Sequence, residues 1–137
     1  MAALPDEVRA ILVGRSFAHL ATVLPGGAPH SVPVWMDVRD DGRLVMFTQA
    51  TSRKARNIAA DARVAVSATD LDDPYRQCDL RGRVIERIEG DAALGIADDL
   101  ARKYTGDALP WRSPATVVYV IEADVAHHVK LPFTHTA

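Results

Sequence analysis

The sequence predicts a mainly β domain, an antiparallel barrel with helices at its rim. Three observations predict it. Six apolar segments of strand length are separated by turn residues, only two or three segments carry helical spacing, and no regular strand–helix–strand alternation signals a parallel sheet. With 137 residues, 48% hydrophobic and 25% charged, the chain has the apolar material for one core, so residues 1–137 are expected to form a single domain.

Pro5 opens a short helix over residues 5 to 13, with Asp6 and Glu7 in its first turn and Gly14 closing it. Leu4, Val8, Ile11 and Leu12 give that helix one apolar face. FAHLATV (17 to 23) and HSVPVWMDV (30 to 38) read as the strands of a hairpin, with Gly26 and Gly27 supplying the turn. Pro33 is expected to interrupt pairing, since it has no N–H to donate. Asp41-Gly42 then turns the chain into a third strand, LVMFTQ (44 to 49). TSRKARNIAA (51 to 60) is read as a helix capped by Thr51 or Ser52, and RVAVSATD (63 to 70) returns to strand. LDDPYRQ is a polar loop, and CDLRGRVIERI (78 to 88) a long strand with a bulge at Gly82. Ala92, Leu94, Ile96, Ala97, Leu100 and Ala101 mark the longest helix, Glu89 to Tyr104, which ends at Gly106. TVVYVIEADVAHHV (116 to 129) is the last strand, with a break expected near Asp124.

Several function classes lack their minimum parts. A net charge of −2 leaves no general basic footprint, so nucleic acid is not an expected partner. No apolar run is long enough for a membrane-spanning helix, and the segment MAALPDEVRA lacks the basic and apolar blocks of a signal peptide. The single cysteine, Cys78, cannot form an internal disulfide and is expected to be a buried apolar residue; the expected location is the cytoplasm. There is no GxGxxG followed by an acid, no GxxxxGK and no HExxH. Neighbours on a strand point to opposite faces, so His127 and His128 are not expected to share a metal ion. Tyr75 and Tyr104 could supply protons, but anchoring a buried hydroxyl is the commoner role.

The chemistry concentrates at the start of the second helix. Arg53, Lys54 and Arg56 lie within four residues, with no acid among them. That is the unfavourable end for cations, because the helix dipole is positive there and each added cation costs about 0.3 to 1 kcal/mol. A bound anion reverses the sign, since free N–H groups, a hydroxyl and the basic side chains would all point at it. The alternative is a solvated patch, or pairing with Asp40, Asp41 or Asp61.

FTQATSRKARNIAADARVAV (47 to 66) resembles the strand, basic turn and helix that hold a cofactor phosphate in the pyridoxamine phosphate oxidase superfamily. HLATVLPGGAPHSVPVWMDV resembles that family's opening hairpin, and DDPYRQCDLRGRV its segment at the dimer interface. LARKYTG, with a nearby PW, resembles the helix end of the deazaflavin-dependent branch. The resemblance implies a six-stranded antiparallel split β-barrel of the FMN-binding type, forming a homodimer with cofactor sites at the interface. It implies a phosphate contact at Ser52, Arg53, Lys54, Arg56 and Asn57. The backbone of His30, Val32, Pro33, Val34 and Trp35, together with Thr48 and Gln49, would line the ring. Pro74, Tyr75 and Arg76 would arrive from the partner subunit.

Two cofactors fit such a scaffold, coenzyme F420 and FMN, and both carry a tricyclic ring on a ribityl phosphate. The resemblance favours F420, whose longer tail would find basic surface at Arg76 and Arg81. The implied activity is hydride transfer to a small conjugated or quinone-like substrate. Hydride chemistry belongs to the cofactor, which accounts for a sequence without an evident catalytic pair. The alternatives are an FMN-dependent oxidoreductase of the same fold, or a non-enzymatic protein binding a flavin, tetrapyrrole or lipid. Pyridoxal formation is not expected, because those enzymes continue into a substrate-phosphate segment that this sequence does not contain.

Overall fold

Burial alternates along Ala18–Val23, so Ala18, Leu20 and Thr22 turn inward while His19 is exposed. Repeated along Arg63–Thr69 and the first part of Arg76–Ile88, that alternation gives those strands one buried side, whereas Leu44–Gln49 and the first half of Thr116–Lys130 are buried on both. The computed structural model describes residues 3–136. Its helices are α1 (Asp6–Val13), α2 (Arg53–Ala60) and α3 (Gly90–Thr105). Its strands are β1 (Ala18–Val23), β2 (Pro29–Val34), β3 (Asp37–Val38), β4 (Leu44–Gln49), β5 (Arg63–Thr69), β6 (Arg76–Ile88) and β7 (Thr116–Lys130). All seven strands lie in one antiparallel sheet of order β2-β1-β5-β6-β7-β4-β3, curled into a half-barrel.

The core fills the inside of the curl. Leu20, Val66, Leu80, Met46 and Ile121 meet Val8, Ile11 and Leu12 of α1 there. α3 covers the other side of β4 and β7, where Ala93 and Ile96 pack on Val45, Val118 and Val120. Gly106 closes α3 in the left-handed conformation, with φ 88°. No helix among the described residues is long and apolar enough to cross a membrane.

Seven strands replace the six expected because the segment 30–38 divides. β2 stops at Val34, and Asp37 and Val38 cross to pair with Val45 and Leu44 of β4. Pro33 does not interrupt β2; it stands opposite His19 in register. β2 is the edge of the sheet, where a proline needs no partner on its open side. The break falls instead at Trp35-Met36, where Met36 is buried and its backbone is bonded to α3 side chains.

The break expected near Asp124 is also absent, and β7 runs unbroken for 15 residues. Gly82 pairs with Ala123 and Arg81 with Val125, which leaves Asp124 as the extra residue of a bulge. A Cβ at Gly82 would lie 2.1 Å from the Glu122 carbonyl oxygen, so the crossing requires glycine. A second bulge lies on β6, where Ile85 is unpaired between Val84 opposite Ile121 and Glu86 opposite Val120. β6 also begins at Arg76, two residues earlier than the sequence pattern indicates.

Candidate functional site: the basic turn of α2

The turn from β4 into α2 is fixed by its polar residues. Thr48 donates its hydroxyl to Ser52 Oγ (3.0 Å), and the Ala55 N–H donates to the same oxygen (3.2 Å). Ser52 is therefore the N-cap, its hydroxyl held by both Thr48 and the Ala55 N–H. Gln49 donates to Thr116 Oγ1 (3.2 Å), tying the turn to β7.

Asn57 anchors the helix from below. It is 1% exposed, and its amide donates to Thr22 Oγ1 (3.0 Å) on β1. Its Oδ1 accepts from Arg53 Nε (3.0 Å), which orients the guanidinium at the helix start. No sequence pattern singles out Thr22, although a polar residue at an inward position of β1 was a visible signal. His30 stands directly across from Thr22, and its Nδ1 is buried without a partner among the described residues.

The basic residues have no acids to meet. The side chains of Lys54 and Arg56 make no hydrogen bond or ion pair among the described residues, and the Arg53 side chain is bonded only to Asn57. Burial pushes the Lys54 ammonium below its usual pKa. The candidate counter-charges are used elsewhere. Asp61 pairs with Arg63 (2.7 Å), whose hydrogen bonds hold its carboxyl down to about 2. Asp41 pairs with Arg39 (2.8 Å) and Arg43 (3.1 Å), and Asp40 makes no bond to α2. Salt bridging therefore does not explain the cluster.

The other residues implied by the resemblance are placed as follows. Val32 and Val34 face inward opposite Leu20 and Ala18. The Trp35 ring lies parallel to Tyr104 (centroids 5.3 Å apart) and tilted against Phe47 (6.1 Å), so α3 takes up its side chain. Pro74, Tyr75 and Arg76 make no bond to α2 among the described residues. Arg76 pairs with Asp70 (3.2 Å), and Tyr75 packs against Phe133 and His135. Tyr104 anchors the chain, donating to the Ser16 carbonyl (2.6 Å). His127 lies opposite Asp79 and His128 opposite Cys78, on the two faces of the sheet. Cys78 is buried, which pushes its thiol up to about 11.

Residues 4–130 match the family described as pyridoxamine 5'-phosphate oxidase. The chain belongs to this family. Its curled sheet is the split barrel of pyridoxamine 5'-phosphate oxidase-like proteins, with β3 as the added short strand. Among similar solved structures is an F420 reductase, 29% identical with a TM-score of 0.78, covering 90% of this chain and 98% of that one. A conserved hypothetical protein from Mycobacterium tuberculosis is 25% identical with a TM-score of 0.77, covering 100% of this chain and 94% of that one. General stress protein 26 from Bacillus anthracis shares the fold at 20% identity and a TM-score of 0.71, over 96% of this chain and 97% of that one. No curated protein matches this sequence.

Proposed function

We propose that this member of the pyridoxamine 5'-phosphate oxidase family is an oxidoreductase that binds coenzyme F420 through the basic turn of α2 and reduces a small conjugated or quinone-like substrate. One observation carries the reading: Arg53, Lys54 and Arg56 gather at a helix N-terminus without an acidic partner among the described residues. An isolated cluster of that kind is unfavourable until an anion arrives. A phosphate fits the donors present, which are the first-turn N–H groups, the Ser52 hydroxyl and the three basic side chains.

Each residue has a task within that reading. Asn57 aims Arg53, Thr48 and Ser52 hold the turn, and Lys54, already partly stripped of water, meets the phosphate charge. His30 offers its unpartnered Nδ1 as a polar contact on the same side of β1 and β2 as Thr22. The bound cofactor would supply the hydride; the chain positions it and excludes water. The assembly is a homodimer in which Pro74, Tyr75 and Arg76 of the partner subunit complete the site. FMN carries the same ribityl phosphate and suits the same grip. The similarity to an F420 reductase supports the deazaflavin over it.

Titration of the purified protein with oxidised F420, reduced F420 and FMN tests the choice. Micromolar binding of F420, with oxidation of its reduced form by a quinone, is the expected outcome. Preferential FMN binding would move the protein to the flavin branch, and tight binding without turnover would make it a carrier.

A further inference from the structure

At the other end of α2, the helix and the bulged stretch of β6 border an open cleft of about 340 Å³. Ile58 and Ala59 of α2, Val84, Ile85 and Arg87 of β6, and Tyr119 of β7 line it. The bulge explains the shape of its mouth. Ile85 is the unpaired residue, so its side chain leaves the ladder and is 41% exposed at the rim.

Tyr119 is 2% exposed, and its hydroxyl is buried without a hydrogen-bond partner among the described residues. Thr22, Thr48, Asn57 and Thr116 are buried and have partners, whereas the Tyr119 hydroxyl, like His30 Nδ1 and His128 Nε2 elsewhere in the sheet, has none among the described residues. An unpaired buried hydroxyl costs stability that an acceptor arriving in the cleft would return. The charges at the mouth are already matched, Arg87 to Glu89 (2.8 Å) and Glu86 to Arg39 (3.8 Å). The occupant that suits apolar walls, one free hydroxyl and no unmatched charge is neutral. The volume is at the small end of ligand pockets, enough for a compact ring system. A phenol shares its oxygen lone pair with its ring, so it donates better than it accepts.

We infer that this cleft is a second binding site, for a neutral aryl ketone or similar flat molecule whose carbonyl accepts from the Tyr119 hydroxyl while its rings lie against Ile58, Val84 and Ile85. The site is independent of the cofactor reading. Lys54 lies a full turn before Ile58 and does not line the cleft.

Prodan, a neutral naphthyl ketone whose emission reports on polarity and hydrogen bonding at its carbonyl, is the probe. The wild-type chain is expected to bind one molecule per chain with blue-shifted emission. Ala59→Trp, at an exposed helix position beside the mouth, is expected to abolish binding. Tyr119→Phe removes only the hydroxyl and should fold; affinity is expected to fall about threefold to tenfold, with a further blue shift of the bound probe. Lys54→Ala is expected to leave prodan binding unchanged, whatever it does to cofactor affinity. The inference is overturned by absence of saturable binding to the wild type, by binding that survives Ala59→Trp, or by a Tyr119→Phe variant with wild-type affinity and emission. Loss of prodan binding in Lys54→Ala would also overturn it, by placing the probe at the basic turn.

Discussion

The N-terminus of α2 and the C-terminus of α3 carry similar clusters, Arg53-Lys54 with Arg56 in one and Arg102-Lys103-Tyr104 in the other, and they sit in opposite surroundings. At the end of α3 the dipole favours cations, and every polar group has a partner. Arg102 pairs with Asp99 (3.1 Å), while Lys103 Nζ donates to the carbonyls of Leu12 (2.8 Å) and Met36 (2.5 Å). Tyr104 donates to Ser16, and the three contacts knit the end of α1 to the β2–β3 crossing. At the start of α2 the dipole opposes cations, and Lys54 and Arg56 have no bonded partner among the described residues. Composition alone does not separate a cluster with partners from one without them. The positions of the acids and carbonyls do.

Substitutions at the two ends should therefore behave differently. Lys103→Ala would leave the Leu12 carbonyl without its side-chain donor and the Met36 carbonyl with only the Tyr104 hydroxyl, and it is expected to lower the unfolding free energy by about 1 to 3 kcal/mol in urea denaturation, with cofactor affinity unchanged in the folded protein. Lys54→Ala is expected to reverse that pattern. Cofactor affinity should fall by about 1.5 to 3 kcal/mol, while stability stays level or rises by about 0.3 to 1 kcal/mol as repulsion with the dipole is relieved. Asn57→Ala should combine the two outcomes, because Asn57 supports both Thr22 and Arg53. A stability loss of about 1 to 3 kcal/mol should accompany weaker cofactor binding, read by calorimetry and urea denaturation together.

The smallest effect is expected at Asp61. Its carboxyl titrates at about 2 in the fold against 3.8 ordinarily, chiefly through the Arg63 hydrogen bonds. A lowered folded pKa stabilises above the unfolded value and loses that stabilisation as pH falls through the folded one. Melting temperatures of wild type and Asp61→Asn should differ slightly at neutral pH and converge as pH approaches 2. A gap that persists at that pH would assign the difference to another interaction.

Much of the local structure was legible because local chemistry sets it. Ser52 caps α2 and Gly106 ends α3 as their residue types require, and Leu44–Gln49 forms the expected strand. What alternation does not encode is which neighbour a strand meets. The division of residues 30–38 depends on Met36 being held by Lys103 and Tyr104, more than sixty residues later in the chain. Pro33 is tolerated because β2 proves to be an edge, and Asp124 because β6 supplies Gly82 opposite the bulge. The basic turn was visible as three cations near a cap. Its isolation was not, since that depends on Asp61 choosing Arg63, and Asp41 choosing Arg39 and Arg43. The unsatisfied hydroxyl of Tyr119 also had no sequence signal, because an inward tyrosine in an apolar strand reads as ordinary core.

The central claim is that α2 holds the cofactor by its phosphate. Side-by-side calorimetric titration of wild type and Lys54→Ala with coenzyme F420 tests it most directly. Micromolar binding by the wild type, weakened about tenfold or more in the variant at an unchanged or slightly raised melting temperature, is the predicted result. Equal affinity in the two proteins, or no binding by the wild type, would contradict it.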